Sequence, residues 1–220
     1  MRLVLFSGGF DDKNVTMNKA LVALVKSKSP RFTFIPSTFY GSEYDFREFV
    51  RRFRKYNISK FLHFSIDIPF DKILYEEALK SDVIFLSGGN TFYFLYQLKK
   101  HKMLNDLKTF VKRGGILAGL SAGAILMTPN INTAGFPDFD CDENTVKLKS
   151  WQGLNLVDFE FFPHYVNSKR YIEELAAYSL TCDKPLYAVP DGAGIVIDGD
   201  VIRFIGRPYC FVNGKKFRLT

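Results

Sequence analysis

The chain has 220 residues and a mass of 25.2 kDa, with 30 Lys+Arg against 23 Asp+Glu, a formal net charge of +7. Hydrophobic residues make up 47% and charged residues 24%, which excludes a disordered tail, a collagen-like fibre and a coiled coil. The length supports a sizeable core in one domain, placed over residues 1–220.

Short apolar runs alternate with longer amphipathic stretches. Residues 3–6 form a strand that ends in the Ser7-Gly8-Gly9 turn. This apolar run is too short for a signal-peptide core. Residues 17–28 are predicted helical from Leu21, Leu24 and Val25, and 32–35 are the next strand, stopped by Pro36. Residues 46–56 form a charged helix with Phe46, Phe49, Val50 and Phe53 on one face. A strand at 60–64 precedes a helix at 70–80, with Ile73, Leu74, Ala78 and Leu79 predicted to face inward. The run Val83-Ile84-Phe85-Leu86 has no polar alternation, as expected at the centre of a parallel sheet. Ser87-Gly88-Gly89-Asn90-Thr91 follows, then helices over 92–100 and 104–113 and a strand at 116–119. Residues 130–150 are polar, aperiodic and acidic, a loop of a length that is often functional. Beyond them lie a strand at 159–162, a helix at 171–179, a strand at 186–189 and a hairpin of 194–197 with 201–205. Strand–helix alternation over the first 130 residues predicts an α/β fold, a three-layer sandwich around a mostly parallel sheet.

The basic runs at 51–55 and 99–102 fall on a solvated helix face and in a helix C-terminal turn, where the dipole favours cations. Nucleic acid is therefore not an expected partner. No segment approaches the roughly 20 apolar residues of a transmembrane helix, so no membrane partner is expected. Cys141, Cys182 and Cys210 are too few and scattered for a disulfide scaffold or a zinc module. They read as reduced thiols, which favours a cytoplasmic location.

Gly119-Leu120-Ser121-Ala122-Gly123 matches G-x-S-x-G directly after an apolar strand and before a helical stretch, the context of a nucleophile elbow. Such a turn lifts the serine hydroxyl above the sheet edge, and the helix start aims amide N–H groups at it. A tight strand–helix turn with a small residue is the competing reading. The Ser87-Gly88-Gly89 turn lies at the same sheet edge if both strands are central, so Gly88 and Gly89 can supply a second oxyanion donor.

A serine nucleophile needs a base. Of the three histidines, His63 lies inside an apolar strand, and His101 sits among lysines and is expected in solvent. His164 stands just past a strand end, which selects it as the base. The carboxylate partner is Asp191, also just past a strand end, with Asp138, Asp140 and Asp142 as rivals. The order Ser–His–Asp differs from that of α/β hydrolases. No pattern of His and Cys forms a metal site, and no cofactor is implied.

These residues resemble the peptidase E (aspartyl dipeptidase) family of serine peptidases, whose fold is like that of class I glutamine amidotransferases (flavodoxin-like). The resemblance rests on Gly88-Gly89-Asn90-Thr91-Phe92, Gly119-x-Ser121-Ala122-Gly123-Ala124 and Pro163-His164-Tyr165, and runs through residues 83–195. It implies Ser121 as nucleophile, His164 as base, an acid at Asp191 where many relatives carry Glu, and an oxyanion hole from Gly88, Gly89 and Ala122. Asn90, Thr91, Asp138 and Arg170 are the substrate-binding candidates. The implied activity is hydrolysis of small peptides, with dipeptides bearing N-terminal aspartate as the family's substrates, by a monomer or homodimer. Two alternatives stand beside it: a non-catalytic small-molecule binder or sensor on the same fold, and a cyanophycinase-like amide or isopeptide hydrolase.

Overall fold

The structure, a computed structural model, describes residues 1–9 and 11–219. A seven-stranded sheet forms its centre. Strands β1 (Arg2–Phe6), β2 (Arg31–Ile35), β3 (Lys60–His63), β4 (Val83–Leu86) and β5 (Ile116–Leu120) run parallel. A second, smaller sheet contains β6 (Glu160–Phe162) and β7 (Leu186–Ala188). The hairpin β8 (Gly194–Asp198) and β9 (Val201–Ile205) closes one edge of the large sheet, antiparallel to β1. The chain ends in β10 (Tyr209–Val212) and β11 (Lys215–Arg218), which join the small sheet. The strand orders are β3-β2-β4-β5-β1-β8-β9 and β11-β10-β7-β6.

Successive residues of a strand point to opposite faces, and the central strands are apolar on both. Val4, Phe6, Val83, Phe85, Ile116 and Ala118 face one layer, which holds α1 (Val15–Ala23) and α2 (Ser42–Arg54). Leu3, Leu5, Ile84, Leu86 and Leu117 face the other. That second layer contains α3 (Lys72–Leu79), α4 (Thr91–Lys100), α5 (Met103–Lys112) and the single turn α6 (Ala122–Ile125). The result is the three-layer sandwich with a mostly parallel sheet that the sequence predicts. The first layer accounts for much of the phenylalanine content. Phe32, Phe34, Phe49, Phe53 and Phe85 meet with centroids 4.9–6.4 Å apart, mostly in the tilted and edge geometries the ring quadrupole prefers, with Phe34 stacked on Phe85. The last helix, α7 (Lys169–Tyr178), covers the small sheet through Leu175.

Two local readings differ from the sequence expectation. In α3 the inward stripe is Tyr75, Ala78 and Leu79, while Ile73 is 70% exposed and Leu74 is also exposed, against the expectation for both. Asp71 caps this helix by accepting from Ile73 N–H at 2.6 Å, which sets the rotation of the first turn and leaves Ile73 outside. The 130–150 loop is not wholly irregular. It starts with a short 3-10 helix, Asn132–Gly135, and packs Val146, Leu148 and Trp151 onto the core, Trp151 edge-on to Phe92 at 5.0 Å.

Candidate active site

The turn after β5 places Ser121. Its backbone has φ +50 and ψ −109, a left-handed conformation that costs a non-glycine residue energy and that functional sites retain. The two glycines of the motif are explained by contact. A Cβ at Gly119 would lie 2.3 Å from the Gly123 carbonyl carbon, and one at Gly123 would lie 2.3 Å from the Leu86 oxygen. The strand, the turn and the neighbouring strand β4 therefore pack backbone to backbone, and the Ser121 hydroxyl is pushed outward.

The helix that follows, α6, is only four residues long. A single turn sums few peptide dipoles, so the expected helix-start field reduces to local N–H groups. The Gly123 amide donates to Ser87 O at 3.1 Å, which leaves Ala122 as the amide next to Ser121. β4 and β5 are paired in parallel, so the turns after both strands meet at one edge. A Cβ at Gly88 would lie 3.7 Å from Ser121 Cβ. Gly88 and the adjacent Ala122 thus neighbour Ser121, and Gly89 shares a cavity lining with it.

His164 comes from the small sheet. β6 and β7 are parallel, with Phe162 opposite Ala188, and His164 and Asp191 lie two and three residues past those partners. Parallel pairing brings the two strand ends together and so brings the side chains together. His164 Nε2 is 2.8 Å from Ser121 Oγ, and His164 Nδ1 is 2.8 Å from Asp191 Oδ1. The His164 backbone also has positive φ, +55. The imidazole is 49% exposed and the Asp191 side chain 38%, so both groups reach the surface, and His164 also lines the cavity beside Ser121.

The end of β1 locks this geometry. Ser7 is fully buried; its hydroxyl donates to Val189 O at 2.6 Å and accepts from His164 N–H at 2.8 Å. Gly8 O accepts from Gly192 N–H at 3.0 Å and from Asn14 Nδ2 at 3.1 Å. A Cβ at Gly8 would lie 2.1 Å from His164 Cε1. The sequence reading assigned Ser7, Gly8 and Asn14 no part in the site. The available signal was the repetition of Ser-Gly-Gly after two apolar strands, at 7–9 and 87–89.

The remaining candidates occupy different places. Asn90 caps α4 by accepting from Tyr93 N–H at 2.8 Å, and its Nδ2 donates to Glu143 O at 2.8 Å; both ends are engaged in structure. Thr91 N–H donates to Asp142 Oδ2 at 2.7 Å. A cavity of about 580 Å³ opens beside Ser121 and His164, and Gly89, Thr91, Asp138, Asp140 and Asp142 line it. The acids that rivalled Asp191 on sequence are therefore in the cavity wall, away from the His164 Nδ1 contact. Arg170 stands behind this wall. Its guanidinium carbon is 3.4 Å from the Phe139 ring centroid, and it lines a neighbouring cavity with Glu174. The other two histidines sit elsewhere. His63 stacks on Phe46 at 4.8 Å and contacts Ser42 Oγ at 3.1 Å, and burial pushes its pKa down. His101 packs on Phe70 at 4.9 Å and is half-buried rather than bathed in solvent. Among the described residues no cluster of His, Cys, Asp and Glu could hold a metal ion, and no helix is long and apolar enough to cross a membrane.

The chain is similar to proteins of one kind. Peptidase E of Nostoc sp. (strain PCC 7120) is 30% identical over 152 residues, 64% of this chain and 60% of that protein, so the match spans about three fifths of that relative. The uncharacterized peptidase YgaJ of Bacillus subtilis (strain 168) is 27% identical over 198 residues, 88% of this chain and 81% of that one. A crystal structure of a peptidase E candidate from Listeria monocytogenes EGD-e superposes with a TM-score of 0.69 at 26% identity, covering 92% of this chain and 96% of the other. The model of Peptidase family S51 matches residues 3–205, and the chain belongs to that family.

Proposed function

We propose that the protein is a serine peptidase that hydrolyses small peptides by acyl transfer, with Ser121 as nucleophile, His164 as general base and acid, and Asp191 orienting the imidazole. The observation that carries this reading is the unbroken relay Ser121 Oγ–His164–Asp191, with both contacts at 2.8 Å. Nδ1–H donation to Asp191 fixes the tautomer in which Nε2 is free to accept the serine proton.

Attack by Ser121 Oγ on the peptide carbonyl transfers the hydroxyl proton to His164 Nε2 and puts negative charge on the carbonyl oxygen. The Ala122 amide and the Gly88-Gly89 turn flank the position that oxygen would take, and one such donor contributes about 10²–10³ in rate. His164 then protonates the leaving amine as the C–N bond breaks. Water, deprotonated by the same nitrogen, releases the acyl group. Residues from both sheets meet at this point, so we take residues 1–220 as one working unit.

The test is covalent labelling with a serine-directed phosphonate, alongside hydrolysis of a dipeptide panel that includes Asp-X members. Wild type should be modified at Ser121 and should cleave at least one dipeptide, and Ser121→Ala should lose both activities. A wild-type protein that takes no probe and cleaves nothing would overturn the reading.

A further inference from the structure

Three successive residues at the end of β1 each anchor a different part of the site. Phe6 O accepts from Ser121 N–H at 3.0 Å, Ser7 Oγ accepts from His164 N–H at 2.8 Å, and Gly8 O accepts at 3.0 Å from the N–H of Gly192, the residue after Asp191. Phe6 and Gly8 act through main-chain carbonyls, which any residue supplies. Ser7 acts through its side chain, so the anchor on His164 exists only because position 7 is a serine.

That hydroxyl is fully committed. A serine has one O–H donor, and Ser7 spends it on Val189 O at 2.6 Å, which leaves its lone pairs for His164 N–H. Val189 stands two positions before Asp191, so one buried hydroxyl links the segment carrying the base to the segment carrying its acid. Its two partners do not depend on it equally. Val189 O also accepts from Tyr165 N–H at 3.1 Å, whereas His164 N–H has no other acceptor among the described residues. His164 is also the residue that most needs holding. Its φ of +55 is left-handed, a region that is unfavourable for a residue with a Cβ and persists only where the surroundings impose it. Relaxation toward negative φ would swing the imidazole and carry Nε2 away from Ser121 Oγ, which it meets at 2.8 Å.

We propose that Ser7 is a positioning residue for the peptidase reaction: its hydroxyl holds the His164 backbone in the left-handed conformation and thereby keeps Nε2 in reach of Ser121. Ser7 touches no reacting atom and acts through His164. The inference rests on the serine peptidase reading.

The experiment compares wild type, Ser7→Ala and Ser7→Cys as full chains. Alanine removes the acceptor, and a thiol fills the space with a weak one. A misplacement of 1 Å costs on the order of 10²-fold in rate. On a dipeptide that wild type cleaves, kcat should therefore fall about that far in Ser7→Ala, and it should also fall in Ser7→Cys. KM should change little, because a loss confined to the transition state lowers kcat and kcat/KM together. Phosphonate labelling of Ser121 should slow with kcat, each rate being normalised to the fraction of chains that finally labels. A ¹H–¹³C spectrum of the three histidine Cε1–H groups reads the ring directly, with the His164 signal assigned by its absence in His164→Ala. In Ser7→Ala the His164 signal should move while those of His63 and His101 stay. Wild-type kcat in either folded variant would overturn the inference. So would a change in KM with kcat retained, a His164 signal that stays in place, or a shift of all three signals, which would mean general disruption. If Ser7→Ala does not fold, Ser7→Cys decides by the same readings, and a Ser7→Cys chain that also fails to fold would make Ser7 a folding residue and overturn the inference. Each of these failures leaves the peptidase reading intact. A wild type that takes no phosphonate and cleaves no dipeptide would remove both.

Discussion

Gly8→Ala separates catalysis from folding. The added methyl would sit 2.1 Å from His164 Cε1, 2.4 Å from His164 Nδ1 and 2.6 Å from Asp191 Oδ1. Carbon atoms pack at about 3.5–4.0 Å, so the ring must retreat by roughly 1.4 Å. Both of its hydrogen bonds are 2.8 Å long, and a retreat of that size breaks the contact with Ser121. A misplacement of about 1 Å costs on the order of 10²-fold in rate, so kcat/KM should fall at least that far. Phosphonate labelling of Ser121 should slow in parallel. The clash is with the tips of two half-exposed side chains that can swing into solvent, so folding should be nearly indifferent. Removing a glycine from the unfolded ensemble even contributes about 0.4–1 kcal/mol in favour of the native state. For a chain of this length 1 kcal/mol corresponds to roughly 2–4 °C, and the melting temperature should stay within about that interval. Wild-type labelling and turnover in a folded Gly8→Ala protein would refute the argument that Gly8 is reserved for the imidazole.

Three further outcomes are expected. Asp191→Asn keeps the shape of the pair but reverses the hydrogen bond to Nδ1, favouring the wrong tautomer; a drop of about 10²–10⁴ in kcat is expected, and a loss under fivefold would count against Asp191 as the orienting acid. Tyr178→Phe removes the hydroxyl that donates to Glu160, a carboxylate only 4% exposed whose other partner is Asn130 Nδ2 at 3.1 Å. It should destabilise the fold by about 1–3 kcal/mol in urea titration, with a smaller loss in a Glu160→Ala background, where the hydroxyl no longer has this partner. Thr91→Val discards a buried hydroxyl that has no partner among the described residues while keeping the backbone bond to Asp142; denaturant midpoints should hold or rise, whereas a loss above about 1 kcal/mol would mean that Oγ1 is satisfied in solution.

Features written locally are legible in the order of the residues alone. Apolar runs such as 83–86 are buried on both faces because no polar residue interrupts them. The Gly-x-Ser-x-Gly spacing requires a tight turn, because its glycines answer contacts within a few residues and with one neighbouring strand. With only three histidines in the chain, each could be judged by its immediate surroundings. The rest depends on contacts between residues far apart in the chain. Four acids were open as partners of the imidazole until β6 and β7 paired in parallel and put Asp191 against His164, leaving Asp138, Asp140 and Asp142 in the cavity wall. Ser7 reaches His164 across 157 positions, a distance over which no periodicity carries information. β10 and β11 were not foreseen because 209–218 mix aromatic, cysteine and lysine residues with no clean alternation, and they become strands only as β10 pairs onto β7 and β11 onto β10. Arg170 lies next to the site in the chain's logic but behind Phe139 in space. The charge of +7 describes the whole surface, while the cavity beside Ser121 is acidic, because screening limits electrostatic influence to about 8 Å and only the folded chain determines which charges fall inside that radius.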